Sequence, residues 1–169
     1  GPATLWQALE PLGYADAFVD EAQGGIGLPL DAAFDIGFVL GRHAYPLPLL
    51  ETAAARSLLA AAGVPRPEHP LVLCDAIPAT DGHVALPQTP GLRQAAHALV
   101  RHAGLWHLLP LAGLAMRAGD YRPAIGGALD RVPLELALAR FSAPHAAAVL
   151  LAPLQAAEMA GSMAAVLDM

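Results

Sequence analysis

Phe38-Val39-Leu40-Gly41-Arg42-His43-Ala44-Tyr45-Pro46-Leu47-Pro48-Leu49-Leu50-Glu51-Thr52 closes one helix and opens the next. Pro46 and Pro48 fix φ and lack backbone donors, so no helix runs through them. Upstream, residues Asp31 to His43 read as a helix capped by Asp31. It is apolar nearly all round through Ala32, Ala33, Phe34, Ile36, Phe38, Val39 and Leu40, which predicts packing on several sides and little exposure. Downstream, Leu49 to Ala62 contains good helix formers throughout, and Gly63 stands where a left-handed C-terminal cap is wanted.

Toward the N-terminus, Thr4 to Glu10 is a short helix with Thr4 as its cap and Pro11 as its stop. The loop Asp20-Glu21-Ala22-Gln23-Gly24-Gly25-Ile26-Gly27-Leu28-Pro29 follows. Its glycines have neither dinucleotide-binding nor P-loop spacing and no lysine beside them, so they read as a structural turn. Asp16, Asp20 and Glu21 read as solvated carboxylates.

Toward the C-terminus, the proline-rich run Gly63 to Pro70 marks a change of period. Short apolar runs at Leu71 to Cys74, His83 to Leu86, Leu105 to Leu109 and Leu114 to Arg117 then read as strands. Pro133 to Ala139, with Leu134, Leu136 and Leu138 alternating, reads as the clearest strand. A last helix runs from near Pro144 to Met169, and Met159, Met163, Val166 and Leu167 form its apolar stripe. It lacks a C-terminal cap, as a helix cut in mid-course would. The expected fold class is α+β: an N-terminal helical domain (1–66), a small, mostly antiparallel β domain (67–143) and one helix (144–169) of an incomplete helical bundle.

Of the 169 residues 14% are charged and 56% hydrophobic, and the mean hydropathy is +0.47. Such a balance leaves an isolated soluble domain short of polar covering and predicts apolar contact with another chain, in a homo- or hetero-oligomer. The net charge of -6 and the lack of a basic stripe exclude a nucleic-acid surface. A membrane span is not expected, because the best candidate, His145 to Met169, carries Pro153, Gln155, Glu158 and Asp168. Without a basic start followed by an apolar run, the chain is expected to be cytoplasmic.

Leu5-Trp6-Gln7-Ala8-Leu9-Glu10-Pro11-Leu12-Gly13-Tyr14-Ala15-Asp16, with Val19-Asp20-Glu21-Ala22-Gln23-Gly24-Gly25-Ile26-Gly27-Leu28, resembles the early helix and "PE-x-x-GG-x-G" loop of acyl-CoA dehydrogenases. Phe38 to Thr52 is similar to that family's "EELGRA-x-x-P-x-PLLET" passage, and Leu154 to Met169 resembles the first helix of its C-terminal four-helix bundle. The resemblance implies FAD, an acyl-CoA thioester substrate and α,β-dehydrogenation, in which a bundle Glu takes the α proton and flavin N5 the β hydride. It supplies no catalytic base here, so the chain is expected to be a truncated subunit, inactive alone. The alternative is a non-catalytic partner subunit or interaction module that stabilises a full-length dehydrogenase.

In place of the family's "TEP-x-x-GSD" passage this chain has Leu73-Cys74-Asp75-Ala76-Ile77-Pro78-Ala79-Thr80-Asp81-Gly82, which leaves open whether FAD is retained. Cys74 and Asp75 in that run, and Trp106 in Gly104 to Leu109, are the candidate flavin contacts, with core packing the alternative for Trp106. Cys74, the only cysteine, also reads as an inert buried thiol. His97, His102 and His107 recur at intervals of five, which suits neither a helical nor a strand metal pair, and His43, His69, His83 and His145 are isolated. Ser57, Ser142 and Ser162 lack the setting of a hydrolytic nucleophile. No metal site is expected.

Overall fold

The computed structural model describes residues 1–29, 31–120, 126–144 and 146–169; His145 lies outside them. Helices α1 (Pro2–Leu9), α2 (Ala32–Arg42) and α3 (Leu49–Ala61) are followed by strands β1 (Leu71–Asp75), β2 (Ile77–Pro78), β3 (His83–Thr89), β4 (His97–His102), β5 (Leu105–Pro110), β6 (Arg117–Ala118), β7 (Gly127–Pro133) and β8 (Ala139–Ser142), and then by α4 (Ala147–Leu167). The strands form two sheets, ordered β1-β4-β5-β8 and β2-β3-β7-β6. The β1–β4 pairing is parallel, and the other pairings are antiparallel. The expected α+β class, with a mostly antiparallel β region and a C-terminal helix, is what the chain adopts.

The first sheet is shared by two cores, and its pleat sorts its residues between them. Leu71, Leu73, Leu99, Trp106 and Leu108 face the helices and meet Leu50, Ala54, Leu59 and Leu154. Val72, Cys74, Ala98, Val100 and Leu109 face the second sheet and meet Val84, Leu86, Leu129 and Val132. A strand enclosed on both faces needs an unbroken apolar run, which is why Leu71, Val72, Leu73 and Cys74 are all buried. Thr52 joins α3 to this sheet. Its Oγ1 accepts from the Leu71 N–H at 2.9 Å and lies 2.6 Å from the Pro48 carbonyl.

Helices α2 and α4 meet along small residues. Ala33, Gly37 and Gly41 are the buried positions of α2, at the four-residue interval that places side chains on one stripe. A Cβ on Gly41 would collide with the Glu158 carbonyl, and one on Gly161 with the Phe38 carbonyl. The two backbones therefore touch. Ser162 Oγ lies 3.0 Å from the carbonyl oxygens of both Gly41 and Glu158, and so bridges the two helices.

Several expectations need correction. Pro133 to Ala139 is not a strand: β7 ends at Pro133, and Leu134–Leu136 form a 3-10 turn. Arg140 Nη2 donates to the Leu134 carbonyl at 2.8 Å, which holds the turn. Of Leu114 to Arg117 only Arg117 enters a strand, β6. Helix α1 starts at Pro2, whose missing N–H is harmless in a first turn, and Thr4 does not cap it. Helix α2 is not hidden on all sides: Phe34 is 53% and Val39 54% exposed, because its small-residue stripe alone faces α4. Asp16 is not free in solvent: its carboxylate receives Arg56 Nη1 at 2.9 Å. The expected last helix is present as α4 with Pro153 inside it, and by length and composition alone it is long and apolar enough to cross a membrane.

Candidate functional site

Beside the touching α2 and α4 backbones a cleft of about 660 Å³ opens, a size suited to a small-molecule ligand. The end of α2 and the turn after it contribute Leu40, Gly41, Ala44 and Tyr45; α3 contributes Glu51; the end of β3 contributes Gln88 and Thr89; and α4 contributes Gln155, Glu158, Met159, Ser162 and Met163. Local sequence explains the placement. Helix α2 ends in a turn in which the Tyr45 N–H returns to the Leu40 carbonyl at 3.0 Å and Ala44 takes φ 48°. The Pro46-Leu47-Pro48 link, with Leu47 and Pro48 buried, carries the chain straight into α3.

Glu51 lies in the first turn of α3, where the N-terminal end of a helix favours an acid. It is only 7% exposed. Burial first, and then the charge of Glu158 across the cleft, push its carboxyl up to about 7 against the opposing effect of its own backbone N–H. Among the described residues no cation pairs with it. Tyr45 adds a second polar group. Its hydroxyl is enclosed without a hydrogen-bond partner among the described residues, and burial raises its pKa. The cleft thus combines apolar walls from Leu40, Met159 and Met163 with a few polar groups, the composition expected of a binding site for an apolar molecule with a polar handle.

The sequence-predicted flavin candidates lie elsewhere and do not converge. Asp75, Arg101, Trp106 and Phe141 are one row of partners across the first sheet, so Asp75 and Trp106 share its helix-facing side. Cys74, one position earlier, points the other way. The Asp75 carboxylate accepts from the backbone N–H groups of Ala147 and Ala148 at 3.1 and 3.0 Å, and so caps α4 from 72 residues away in the chain. Trp106 is fully buried in the helix-side core, and its Nε1 meets no acceptor among the described residues. Cys74 is buried between the sheets, which pushes its thiol up to about 12. None of the three lines the cleft. With one spent on a helix cap and two enclosed in separate cores, they offer no surface that fits a flavin.

Of the histidines, His107 is buried in β5, 6.5 Å from His102 between ring centroids. Burial and the nearby charge of Arg140 lower its pKa. No His, Cys, Asp and Glu cluster suited to a metal occurs among the described residues. Sequence reading passed over Glu51 and Tyr45. An acid in the first turn of an apolar helix is ordinary, and nothing local reports that Glu51 is buried.

No protein-family model matches the chain, and no curated protein matches it. Solved structures do. A variant of the Tcur3481-Tcur3483 steroid acyl-CoA dehydrogenase superposes with a TM-score of 0.69 at 24% identity over 98% of this chain and 55% of that one. The ChsE4-ChsE5 complex from Mycobacterium tuberculosis gives 0.66 at 18% identity over 99% of this chain and 56% of that one. KijD3 in complex with dTDP gives 0.53 at 11% identity over 95% and 54%. The chain thus spans about 55% of the length of the structures it resembles. Helical N-terminal region, paired sheets and closing helix together give this chain an acyl-CoA dehydrogenase-like fold.

Proposed function

We propose that the chain is the acyl-binding part of an acyl-CoA dehydrogenase assembly and does not turn over substrate alone. The observation that carries this reading is the cleft between α2, α3, β3 and α4: it is of ligand size, walled by apolar side chains and furnished with a few buried polar groups. Its place in an acyl-CoA dehydrogenase-like fold supports the acyl group of a CoA thioester as occupant. The steroid acyl-CoA dehydrogenase among the similar structures favours a bulky ring-bearing acyl group. FAD belongs to the parent activity, where it accepts hydride. Cys74, Asp75 and Trp106 would not hold it in their present arrangement, so flavin would be bound by surface that a complete assembly brings.

Helix α4 supports the assembly. Met159, Met163, Val166 and Leu167 are each more than three-fifths exposed, an apolar strip that in a complete bundle would meet other helices. The second reading, a non-catalytic partner that shapes a full-length dehydrogenase, draws on the same strip and on the ChsE4-ChsE5 complex, which joins two named components.

Purified chain, mixed with acyl-CoA and an artificial electron acceptor, is expected to bind the thioester, to lack the flavin band at about 450 nm, and to reduce no acceptor. Turnover by the chain alone would overturn the incomplete-enzyme reading. Failure to bind acyl-CoA would overturn the assignment of the cleft. Light scattering after mixing with a complete flavoprotein separates the two readings: restored turnover marks a catalytic part, and a complex whose turnover survives mutation of the cleft marks a non-catalytic partner.

A further inference from the structure

The end of the cleft at the α2–α3 junction has a chemistry of its own. Glu51 and Tyr45 flank the buried Leu47-Pro48 link, in which the prolines fix the backbone. The backbone that joins the two residues is therefore held before any ligand arrives. Glu51 is more than nine-tenths buried, and its one polar contact among the described residues is its own backbone N–H. The Tyr45 hydroxyl is enclosed and has no protein partner among the described residues. Both line the same cleft. The charged and titratable groups facing Glu51 there are Glu158 from α4 and Tyr45 itself, while β3 presents neutral Gln88 and Thr89.

Burying the Tyr45 hydroxyl without a partner is costly, as is burying a carboxyl whose polar contact is its own backbone N–H, and the cost is recovered when something supplies a further bond. A carboxyl pressed by burial and by a neighbouring carboxylate holds its proton and so becomes a donor. A phenol is a donor as well. Two neutral donors at the end of an apolar cleft complement one acceptor that brings no charge of its own, and a protonated carboxylic acid beside a tyrosine is an arrangement known to hold a carbonyl oxygen.

We propose that Glu51 and Tyr45 are specificity-determining residues that select, among apolar ring or chain ligands of the cleft, those carrying a ketone oxygen at the end that reaches the α2–α3 junction. The inference rests on the reading of the cleft as an acyl site and names the feature of the acyl group it prefers.

Cyclododecanone and cyclododecane differ only in one carbonyl, which makes them the probes. Their affinities for the intact chain, measured by equilibrium dialysis at pH ~6, where a carboxyl titrating near neutrality keeps its proton, give a ketone-to-hydrocarbon ratio. Glu51→Leu is expected to lower that ratio roughly tenfold and Tyr45→Phe several-fold, whatever the shift in cyclododecane affinity itself, as for loss of one neutral hydrogen bond. Glu51→Gln, which keeps an N–H donor, is expected to retain most of the ratio. Tyr45→Phe removes one atom and guards against a folding defect in the leucine variant. An unchanged ratio in Glu51→Leu and Tyr45→Phe, with both probes still bound, overturns this inference and leaves the acyl site standing. Failure of both probes to bind overturns the two together.

Discussion

Arg56 and Glu51 occupy the same helix, α3, and both are buried, yet their surroundings are opposite. Arg56, 2% exposed, is surrounded by acceptors: Glu10 Oε1 at 2.7 Å, Asp16 Oδ2 at 2.9 Å and the Pro67 carbonyl at 2.7 Å. Arg66 adds its Nε at 3.0 Å from Asp16 Oδ1. Glu51 meets only another acid and its own backbone. A buried charge paired with two carboxylates ties the helix to Glu10 and Asp16, although its Nε has no partner among the described residues, whereas an acid buried beside another acid destabilises the fold that holds it once it ionises. One helix thus carries a structural ion pair near its middle and, in its first turn, a buried acid that faces another acid.

Removing the Arg56 charge should have the largest effect. Arg56→Met leaves Glu10 and Asp16 without their shared partner, and the expected loss is about 3 to 5 kcal/mol, measured by urea unfolding. A loss below about 1 kcal/mol would place this cluster among surface pairs and erase the contrast.

Removing the Glu51 carboxyl should do the reverse, in a pH-dependent way. The Glu51 carboxyl is raised from 4.5 to about 7, so between those values the folded chain keeps a proton that the unfolded chain releases. Stability is full below the unfolded value, declines as pH rises through the window, and is level above it. The decline is about 3 kcal/mol. Glu51→Gln should abolish it and make the protein more stable than wild type at alkaline pH, as seen in melting curves taken across the window. A wild-type melting temperature that rises over the same interval would contradict the assignment.

Thr52, beside Glu51, sharpens the comparison because its hydroxyl is fully used within the protein. Thr52→Val strands the buried Leu71 N–H, with an expected cost of about 1 to 3 kcal/mol at every pH. Ligand preference in the cleft should stay as it was, which distinguishes a bond spent on the fold from one held for a ligand.

Much of the scaffold was legible in the residues. The proline pair at 46 and 48 separates α2 from α3, Gly63 takes φ 68° just past the end of α3, and the apolar run at Leu71 to Cys74 becomes the doubly covered strand. Two of the failures share a physical cause: partners distant in sequence. Asp16 reads as wet because Arg56 is 40 residues away, and Asp75 gives no hint that it caps a helix starting 72 residues later. The alternation of Pro133 to Ala139 is a strand pattern, yet the hydrogen bond from Arg140 to the Leu134 carbonyl holds a turn there instead. The site was hidden for a related reason. Glu51 looks like any acid at a helix start, and the acid that faces it, Glu158, belongs to α4 at the far end of the chain.

The seam where Gly41 meets Glu158 and Gly161 meets Phe38 also governs how this cleft can diversify. With main chain resting on main chain, no side chain there can be enlarged to narrow the floor or trimmed to deepen it. Descendants of this sequence can therefore retune what they accept chiefly through the rim, at positions such as Tyr45, Met159 and Met163, while the spacing of the two helices stays inherited.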